Sequence, residues 1–184
     1  MMPMATHQTL CRHFAGLLDY PDVATQQSAE ACLLLLRDAR PEAVAPLERF
    51  IGFLAAEPPR RIEETFTATF DLQPLCHPYV GYQLCGETQK RALFLMQLQQ
   101  IYKRHGFTVT GELPDHLATI LRFLATIDES ACRDEILHDG LIPALEKILA
   151  SLDEKNHPYA ALLGALRLFL TNSPSDHCQK EFRS

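Results

Sequence analysis

The run Glu87-Thr-Gln-Lys-Arg-Ala-Leu-Phe-Leu-Met-Gln-Leu-Gln-Gln-Ile-Tyr-Lys-Arg-His-Gly106 decides the fold class. Its larger apolar side chains recur every three or four positions, which is the period of an amphipathic α-helix and not the alternation of a strand. The stripe consists of Phe94, Leu95, Leu98, Ile101 and Tyr102. Gly106 follows it, at a position where glycine commonly ends a helix. The run therefore predicts a helix over residues 87–105.

Similar apolar stripes lie on both sides of this run. They predict helices over about 6–19, 23–38, 60–70, 130–153 and 158–170, with a further helix starting at Pro41. Another helix is predicted to start with Pro114 at its first position and Asp115 in its first turn. Gly140 and Pro143 are expected to kink or split the helix over 130–153. The Leu33–Leu36 run suggests burial of the second helix on most sides.

Together these elements predict an all-α fold. We expect a single compact helical bundle of about seven to nine helices in one domain over residues 1–172, followed by a polar, flexible tail over 173–184. The chain of 184 residues, with 47% hydrophobic residues, is long enough to bury its own core.

Charge and cysteine usage exclude several classes of protein. The formal net charge is -6, and Lys and Arg never cluster beyond two neighbours, which argues against a nucleic-acid partner. The longest apolar run, residues 31–36, is far short of the roughly 20 residues that cross a bilayer, so no direct membrane insertion is expected. The first residues lack the features of a signal peptide, and the six cysteines contain no Cys-x-x-Cys pair. Reduced thiols and a cytoplasmic location are therefore predicted.

Two patterns in the sequence are compatible either with a metal site or with ordinary surface and buried residues. Glu135 and His138 have the Glu-x-x-His spacing of di-iron bundles, but a second such pair, Glu154 and His157, precedes Pro158, which disfavours helical geometry there. Alternatively, Cys76, His77 and Cys85 could be three ligands of a zinc ion, with His177 and Cys178 as further candidate ligands. Their spacing is looser than in structural zinc sites, and buried thiols are the simpler interpretation. We therefore expect no metal, and no catalytic motif is present.

Four aromatic residues have two interpretations. Phe66, Phe70, Tyr79 and Tyr82 either pack in the core or line a partly exposed groove for a helical peptide. The sequence Glu112-Leu-Pro-Asp-His116 likewise either starts a helix or forms part of a site. A cationic His116 would be unfavourable at a helix N-terminus, so a neutral or switchable histidine is expected there.

Several of these segments together resemble the NarJ branch of the TorD/DmsD/NarJ family of molybdoenzyme chaperones. The resemblance is strongest over about 62–126 and fades in the first 55 residues. It is carried by Thr69-Phe-Asp71, Pro78-Tyr79, Gly86-Glu-Thr-Gln-Lys-Arg91, Tyr102, Gly106-Phe107, Glu112-Leu-Pro-Asp-His-Leu117 and His157-Pro-Tyr-Ala-Ala161.

This resemblance implies a TorD-like, all-helical cytoplasmic chaperone with no reaction of its own. Such proteins bind the N-terminal segment of an apo catalytic subunit, here the alpha subunit of a respiratory nitrate reductase, and assist molybdenum cofactor insertion. No cofactor is implied as a permanent ligand, and a transient contact with molybdopterin guanine dinucleotide is left open. Thr69 stands where the family usually has Leu, which implies a shallower or differently filled groove.

The resemblance and the residues together give a hypothesis for binding. The client peptide lays its apolar face on the four aromatic residues, and carboxylates meet its basic residues. The predicted peptide-binding residues are Phe66, Phe70, Tyr79, Tyr82, Glu87, Glu112, Pro114, Asp115 and His116. Two alternatives remain at this point: a helical metal-binding enzyme that uses Glu135 and His138, and a generic helical adaptor without a molybdoenzyme client.

Overall fold

The computed structural model describes residues 2–71, 76–152 and 156–171. Ten α-helices account for most of these residues, with a 3₁₀ turn at Pro41–Ala43. The helices are α1 (Met4–Leu17), α2 (Thr25–Ala39), α3 (Val44–Ala56), α4 (Pro59–Phe70), α5 (Val80–Cys85), α6 (Gln89–Arg104), α7 (Leu117–Leu124), α8 (Ser130–Glu135), α9 (Ile142–Ser151) and α10 (Pro158–Thr171). The all-α class is confirmed, and the predicted tail over 173–184 lies outside the described residues.

Helix α7 lies at the centre of the packing. All of its residues except Arg122 are buried, as expected for a helix that is apolar almost all round. Helix α1 packs against α2 and α7, and α10 packs against α3 and α9. The largest fully buried side chains include six rings, those of Phe14, Phe50, Tyr102, Phe123, Tyr159 and Phe169. Within the described chain, no helix is both long and apolar enough to cross a membrane.

A π-helical turn, Ile136–Leu141, joins α8 to α9. In this turn the N–H of Ile142 donates to the carbonyl of Leu137, five residues back. Pro143 has no N–H for an ordinary α-helical bond, so the chain must depart from regular geometry near this point. The predicted kink is confirmed. Counted with α8 and α9 as one bent helix, the described residues form nine helices, within the predicted range.

The predicted start of α7 was wrong. Pro114 and Asp115 lie before the helix, which begins at Leu117 with His116 as its N-cap. The carbonyl of Asp115 accepts a hydrogen bond from the N–H of Val80 at 2.8 Å. Asp115 therefore takes part in a contact with α5, and the helix starts only after it.

Burial of the leucine run in α2 was overestimated. Leu33 and Leu36 are buried, but Leu34 is 63% exposed. Because α2 presents a single face to α1 and α3, the side chain of Leu34, which lies off that face, points to solvent.

Candidate functional site

A short backbone contact brings two of the sequence motifs together. An antiparallel bridge joins Tyr79, just before α5, to His116, just before α7. Two backbone hydrogen bonds close it, from Val80 N–H to the Asp115 carbonyl at 2.8 Å and from Leu117 N–H to the Pro78 carbonyl at 2.9 Å. The Pro78–Tyr82 and Glu112–His116 segments, which α6 separates in the sequence, therefore lie side by side.

The carboxylate of Asp115 is buried beneath this contact and paired with Arg91 of α6. Nε of Arg91 lies 3.1 Å from Oδ2, and Nη2 lies 3.4 Å from Oδ1. Asp115 is 0% exposed and the Arg91 side chain 14% exposed. A buried carboxylate needs such a partner, and the two-pronged guanidinium supplies both charge and direction. Arg91 is therefore part of the packing around Asp115 and not of a solvated helix face.

The guanidinium of Arg91 also contacts two tyrosine rings. Its central carbon lies 5.4 Å from the ring centroid of Tyr79 and 5.9 Å from that of Tyr82, within the range of a cation–π interaction. Nη1 of Arg91 lies 3.9 Å from the carboxylate of Glu87, whose side chain is 79% exposed. The Tyr79 hydroxyl donates to Glu112 at 3.3 Å. We call Tyr79, Tyr82, Glu87, Arg91 and Glu112 the tyrosine–arginine surface.

Gly81 allows α5 to lie this close to the ion pair. A Cβ atom at this position would lie 2.8 Å from Oδ2 of Asp115, 2.8 Å from Cδ1 of Phe94 and 3.2 Å from Cγ of Arg91. Neither Gly81 nor Arg91 was among the predicted binding residues, although Arg91 ends the Gly86–Arg91 segment that carries the family resemblance. For Gly81 the signal was a glycine inside a helical segment, which often marks a close approach of the backbone to another group.

His116 serves as the N-cap of α7. Its Nδ1 accepts the N–H of Ala118 at 3.2 Å, and its ring meets that of Tyr79 edge to face at 5.3 Å. Burial lowers the pKa of His116 below its usual value, although the nearby carboxylates of Glu112, Asp19 and Asp115 act in the opposite direction. The structure thus places a neutral, hydrogen-bond-accepting imidazole at the helix start.

Phe66 and Phe70 belong to a different aromatic cluster. Each is 9% exposed, and both rings pack against the buried Tyr159, at 5.8 and 5.0 Å between centroids. The half-exposed ring of Tyr20 covers Phe66 edge to face at 5.5 Å. Among the described residues, no ring contact links this cluster to the tyrosine–arginine surface. Core packing accounts for Phe66 and Phe70 as they stand, and a single groove lined by all four predicted aromatic residues stays a prediction.

Thr69, where the resemblance implies a differently filled groove, makes a specific contact with His157. Thr69 is fully buried, and its hydroxyl lies 3.3 Å from Nε2 of His157. Nδ1 of His157 accepts the N–H of Tyr159 in the first turn of α10. A leucine at position 69 could not make this polar contact, so Thr69 connects the end of α4 to the start of α10.

Two clefts flank α6. One, of about 590 Å³, is lined by residues of α6 and by the chain that follows it, including Phe107, Glu112 and Pro114. The other, of about 400 Å³, lies between α6, α5 and the π turn. Its walls are mostly apolar, and its charged lining residues are Arg104, Glu135 and Asp139. Leu93 and Met96 of α6 are 56% and 55% exposed. The region around α6 therefore offers both apolar surface and carboxylates to a partner.

The metal-site alternative finds no support in the described part of the chain. No three His, Cys, Asp or Glu side chains in it are grouped as they would have to be around a metal ion. Glu135 and His138 are both exposed on the bent helix. Cys76 is a free thiol, and burial raises its pKa to about 12. His177 and Cys178 lie outside the described residues.

Comparisons with known proteins agree with the fold and with the family resemblance. A family model described as the nitrate reductase delta subunit matches residues 35–173. The nitrate reductase molybdenum cofactor assembly chaperone NarJ of Escherichia coli K12 is 27% identical over 164 residues, which cover 87% of this chain and 68% of that protein. The nitrate reductase-like protein NarX of Mycobacterium tuberculosis H37Rv is 29% identical over 151 residues, covering 82% of this chain but only 22% of that longer protein.

A solved structure shows the same arrangement of helices. It is the crystal structure of a proposed redox enzyme maturation protein from Archaeoglobus fulgidus, with a TM-score of 0.61 and 20% identity, covering 93% of this chain and 96% of that one. At this identity the likeness concerns the fold alone. The names of the E. coli and Archaeoglobus proteins describe assembly and maturation, not catalysis, as the sequence analysis expected. Because the family model spans more than half of its length, the chain belongs to the nitrate reductase delta subunit family.

Proposed function

We propose that this protein is a cytoplasmic assembly chaperone for a respiratory nitrate reductase. In this proposal it binds the apo catalytic (alpha) subunit through that subunit's N-terminal segment and assists insertion of the molybdenum cofactor. The observation that carries the proposal is the match to the E. coli assembly chaperone over 87% of this chain. The molybdopterin guanine dinucleotide is cargo destined for the client, so the chaperone contacts it only transiently and keeps no cofactor of its own.

The surface around α6 supports a peptide-binding role. It combines exposed apolar side chains, two clefts and exposed carboxylates on a protein of formal net charge -6. A segment with an apolar face and basic residues is complementary to such a surface. A segment that folds as it binds loses conformational entropy, and this cost lowers the net affinity. Modest affinity suits a chaperone that must release its client.

The first experiment is co-purification from the native host grown by anaerobic nitrate respiration. Mass spectrometry is expected to find the catalytic subunit of a molybdoenzyme bound to the tagged chaperone. A peptide with the N-terminal sequence of that subunit is then titrated into the purified protein, with a scrambled peptide of equal charge as control. Preference for the native order supports the proposal. Equal binding of both peptides, or the absence of a molybdoenzyme subunit in the first step, would contradict the chaperone proposal and favour the generic adaptor.

A further inference from the structure

The burial of Asp115 conflicts with its predicted role in binding. In that prediction, Glu87, Glu112 and Asp115 all meet basic residues of the client. We propose instead that Asp115 is a positioning residue, which holds Arg91 and through it the rings of Tyr79 and Tyr82. The exposed carboxylates of Glu87 and Glu112 then make the contacts to the client's basic residues. This inference rests on the proposed chaperone function and concerns the division of roles within its site.

Asp115 is covered from two sides. Its carboxylate receives two N–H groups of Arg91, and the backbone of α5 at Gly81 leaves no space for even a methyl group next to Oδ2. A client arginine would have to displace Arg91 to reach it. That exchange would leave the Arg91 charge without its partner in a side chain that is only 14% exposed, which is unfavourable.

Arg91 transmits the position of Asp115 to the surface. The guanidinium that Asp115 orients lies within 6 Å of the ring centroids of both Tyr79 and Tyr82. Tyr79 is also fixed by the backbone bridge to His116, whereas Tyr82 lies on α5 and contacts His77 at 4.0 Å between centroids. Without the buried charge, Arg91 is free to leave the rings, and the two rings are no longer held against one guanidinium.

The charge of the site resides on its exposed members. The charges of Asp115 and Arg91 cancel, so the negative charges of Glu87 and Glu112 remain. Both residues are exposed, and each lies next to a different member of the cluster, Glu87 beside Arg91 and Glu112 beside the Tyr79 hydroxyl. A partner with basic residues next to apolar ones is complementary to two carboxylates near two aromatic rings.

Double-mutant cycles separate contact from positioning. The full-length protein is titrated calorimetrically with the client's N-terminal peptide and with a version whose basic residues are replaced by Gln. Glu87→Gln and Glu112→Gln are expected to weaken binding of the basic peptide several-fold and to leave the neutral one nearly unchanged. Asp115→Asn is expected to weaken both peptides by the same factor, about tenfold, and to add nothing in an Arg91→Gln background. Glu30→Gln, at an exposed carboxylate of α2, is the control.

The outcomes discriminate clearly. An Asp115→Asn effect that disappears with the neutral peptide would show direct contact and overturn the inference, as would Glu87 and Glu112 variants that behave like Glu30→Gln. Should Asp115→Asn fail to fold, Arg91→Lys keeps the charge opposite Asp115 but loses the forked geometry. Arg91→Lys must then weaken both peptides equally. A wild-type protein that binds neither peptide overturns the proposed function itself, and the inference with it.

Discussion

Gly81 is the residue at which α5, α6 and the segment before α7 approach each other most closely. Replacement by Ala would place a methyl group 2.8 Å from both Asp115 and Phe94, so neighbouring atoms would have to move. We expect Gly81→Ala to lower the free energy of unfolding by about 1–3 kcal/mol, the usual effect of an added group in a packed site. Urea denaturation followed by circular dichroism measures it.

Gly164 in α10 provides the matched control. In the part of the chain that the structure describes, no atom beyond its own helix lies within 4 Å of the Cβ position there, so Gly164→Ala adds a methyl group without a clash. The higher helix propensity of Ala should stabilise this variant by up to about 1 kcal/mol. Equal effects of the two substitutions would contradict the close approach at Gly81.

His7 is a buried histidine whose Nε2 has no hydrogen-bond partner among the described residues. Burial, together with the charges of Arg133 and Arg40, lowers its pKa in the folded protein to about 4, from an ordinary value of 6.5, while Asp134 acts in the opposite direction. Below pH 6.5 the unfolded chain therefore binds a proton at His7, whereas the folded chain binds it only as the pH approaches 4. Stability from this residue is complete above pH 6.5 and is lost as the pH falls towards 4.

The predicted slope for His7 is at most about 1.4 kcal/mol of unfolding free energy per pH unit within that window. His7→Leu cannot bind the proton, so its stability should fall less steeply with acidification than that of the wild type. Denaturation curves at several pH values give both slopes. Since other histidines also titrate, the difference between the slopes is the test, and parallel curves would show that His7 makes no contribution.

At the scale of elements, two helices begin at a histidine. His116 and His157 each use Nδ1 to accept the N–H two residues further on, at the starts of α7 and α10. The usual capping residues are Ser, Thr, Asp and Asn, so neither histidine is a standard N-cap signal. A histidine can cap in this way only while Nδ1 carries no proton. These two helix starts therefore depend on neutral imidazole rings.

The cap of α7 can be tested by replacement. His116→Asn keeps a side-chain acceptor, whereas His116→Ala removes it and leaves the N–H of Ala118 without that partner. We expect the Ala variant to be about 1 kcal/mol less stable than the Asn variant, the typical worth of an N-cap. Thermal and urea unfolding of both proteins would measure this difference. Equal stabilities would mean that the imidazole matters for its packing on Tyr79 and not as a cap.

The end of α6 could be predicted from a local sequence signal, whereas the start of α7 could not. Gly106 directly follows the C-cap residue of α6 and has a positive φ of 67°, so the helix end predicted from its position after the apolar stripe is confirmed. Pro114 carried an equally familiar signal, but α7 begins three residues later because Asp115 is bound to Val80 and Arg91. A helix end set by neighbouring residues can be predicted from sequence. One set by partners on another helix cannot, since those partners are distant in the chain.

For the whole molecule, charge should govern how fast a basic segment arrives. The formal net charge is -6, and the proposed contacts through Glu87 and Glu112 are exposed to solvent. Exposed charges are screened within about 8 Å at physiological salt. We expect the association rate of the client peptide to fall several-fold between about 0.05 and 0.5 M salt, with a smaller change in the dissociation rate. Stopped-flow fluorescence measures both rates, and a salt-independent association rate would contradict this role of charge.

The helical class and the positions of most helices followed from apolar periodicity, because that pattern is local. The candidate site followed only in part. Tyr79, Glu112, Asp115 and His116 were predicted together and do lie together, but Arg91 was not among the predicted residues. Phe66 and Phe70 were grouped with the tyrosines, yet their rings pack on Tyr159. Periodicity shows which face of a helix is apolar, but not which other helix covers it.

The bridge between Tyr79 and His116 has a further consequence for how such proteins diverge. The chain leaves the bundle at Pro78 and returns to the same point at Leu117, where one backbone hydrogen bond joins the two positions. The segment between them is closed at its base by this bond. It is held to the bundle by α5, which packs against the π turn and α9, and by the buried ring of Tyr102 in α6, which packs on Phe123 of α7. A relative could change the exposed part of this segment while keeping the joint, α5 and the buried ring of Tyr102. Partner choice can thus change here while the helical bundle stays the same.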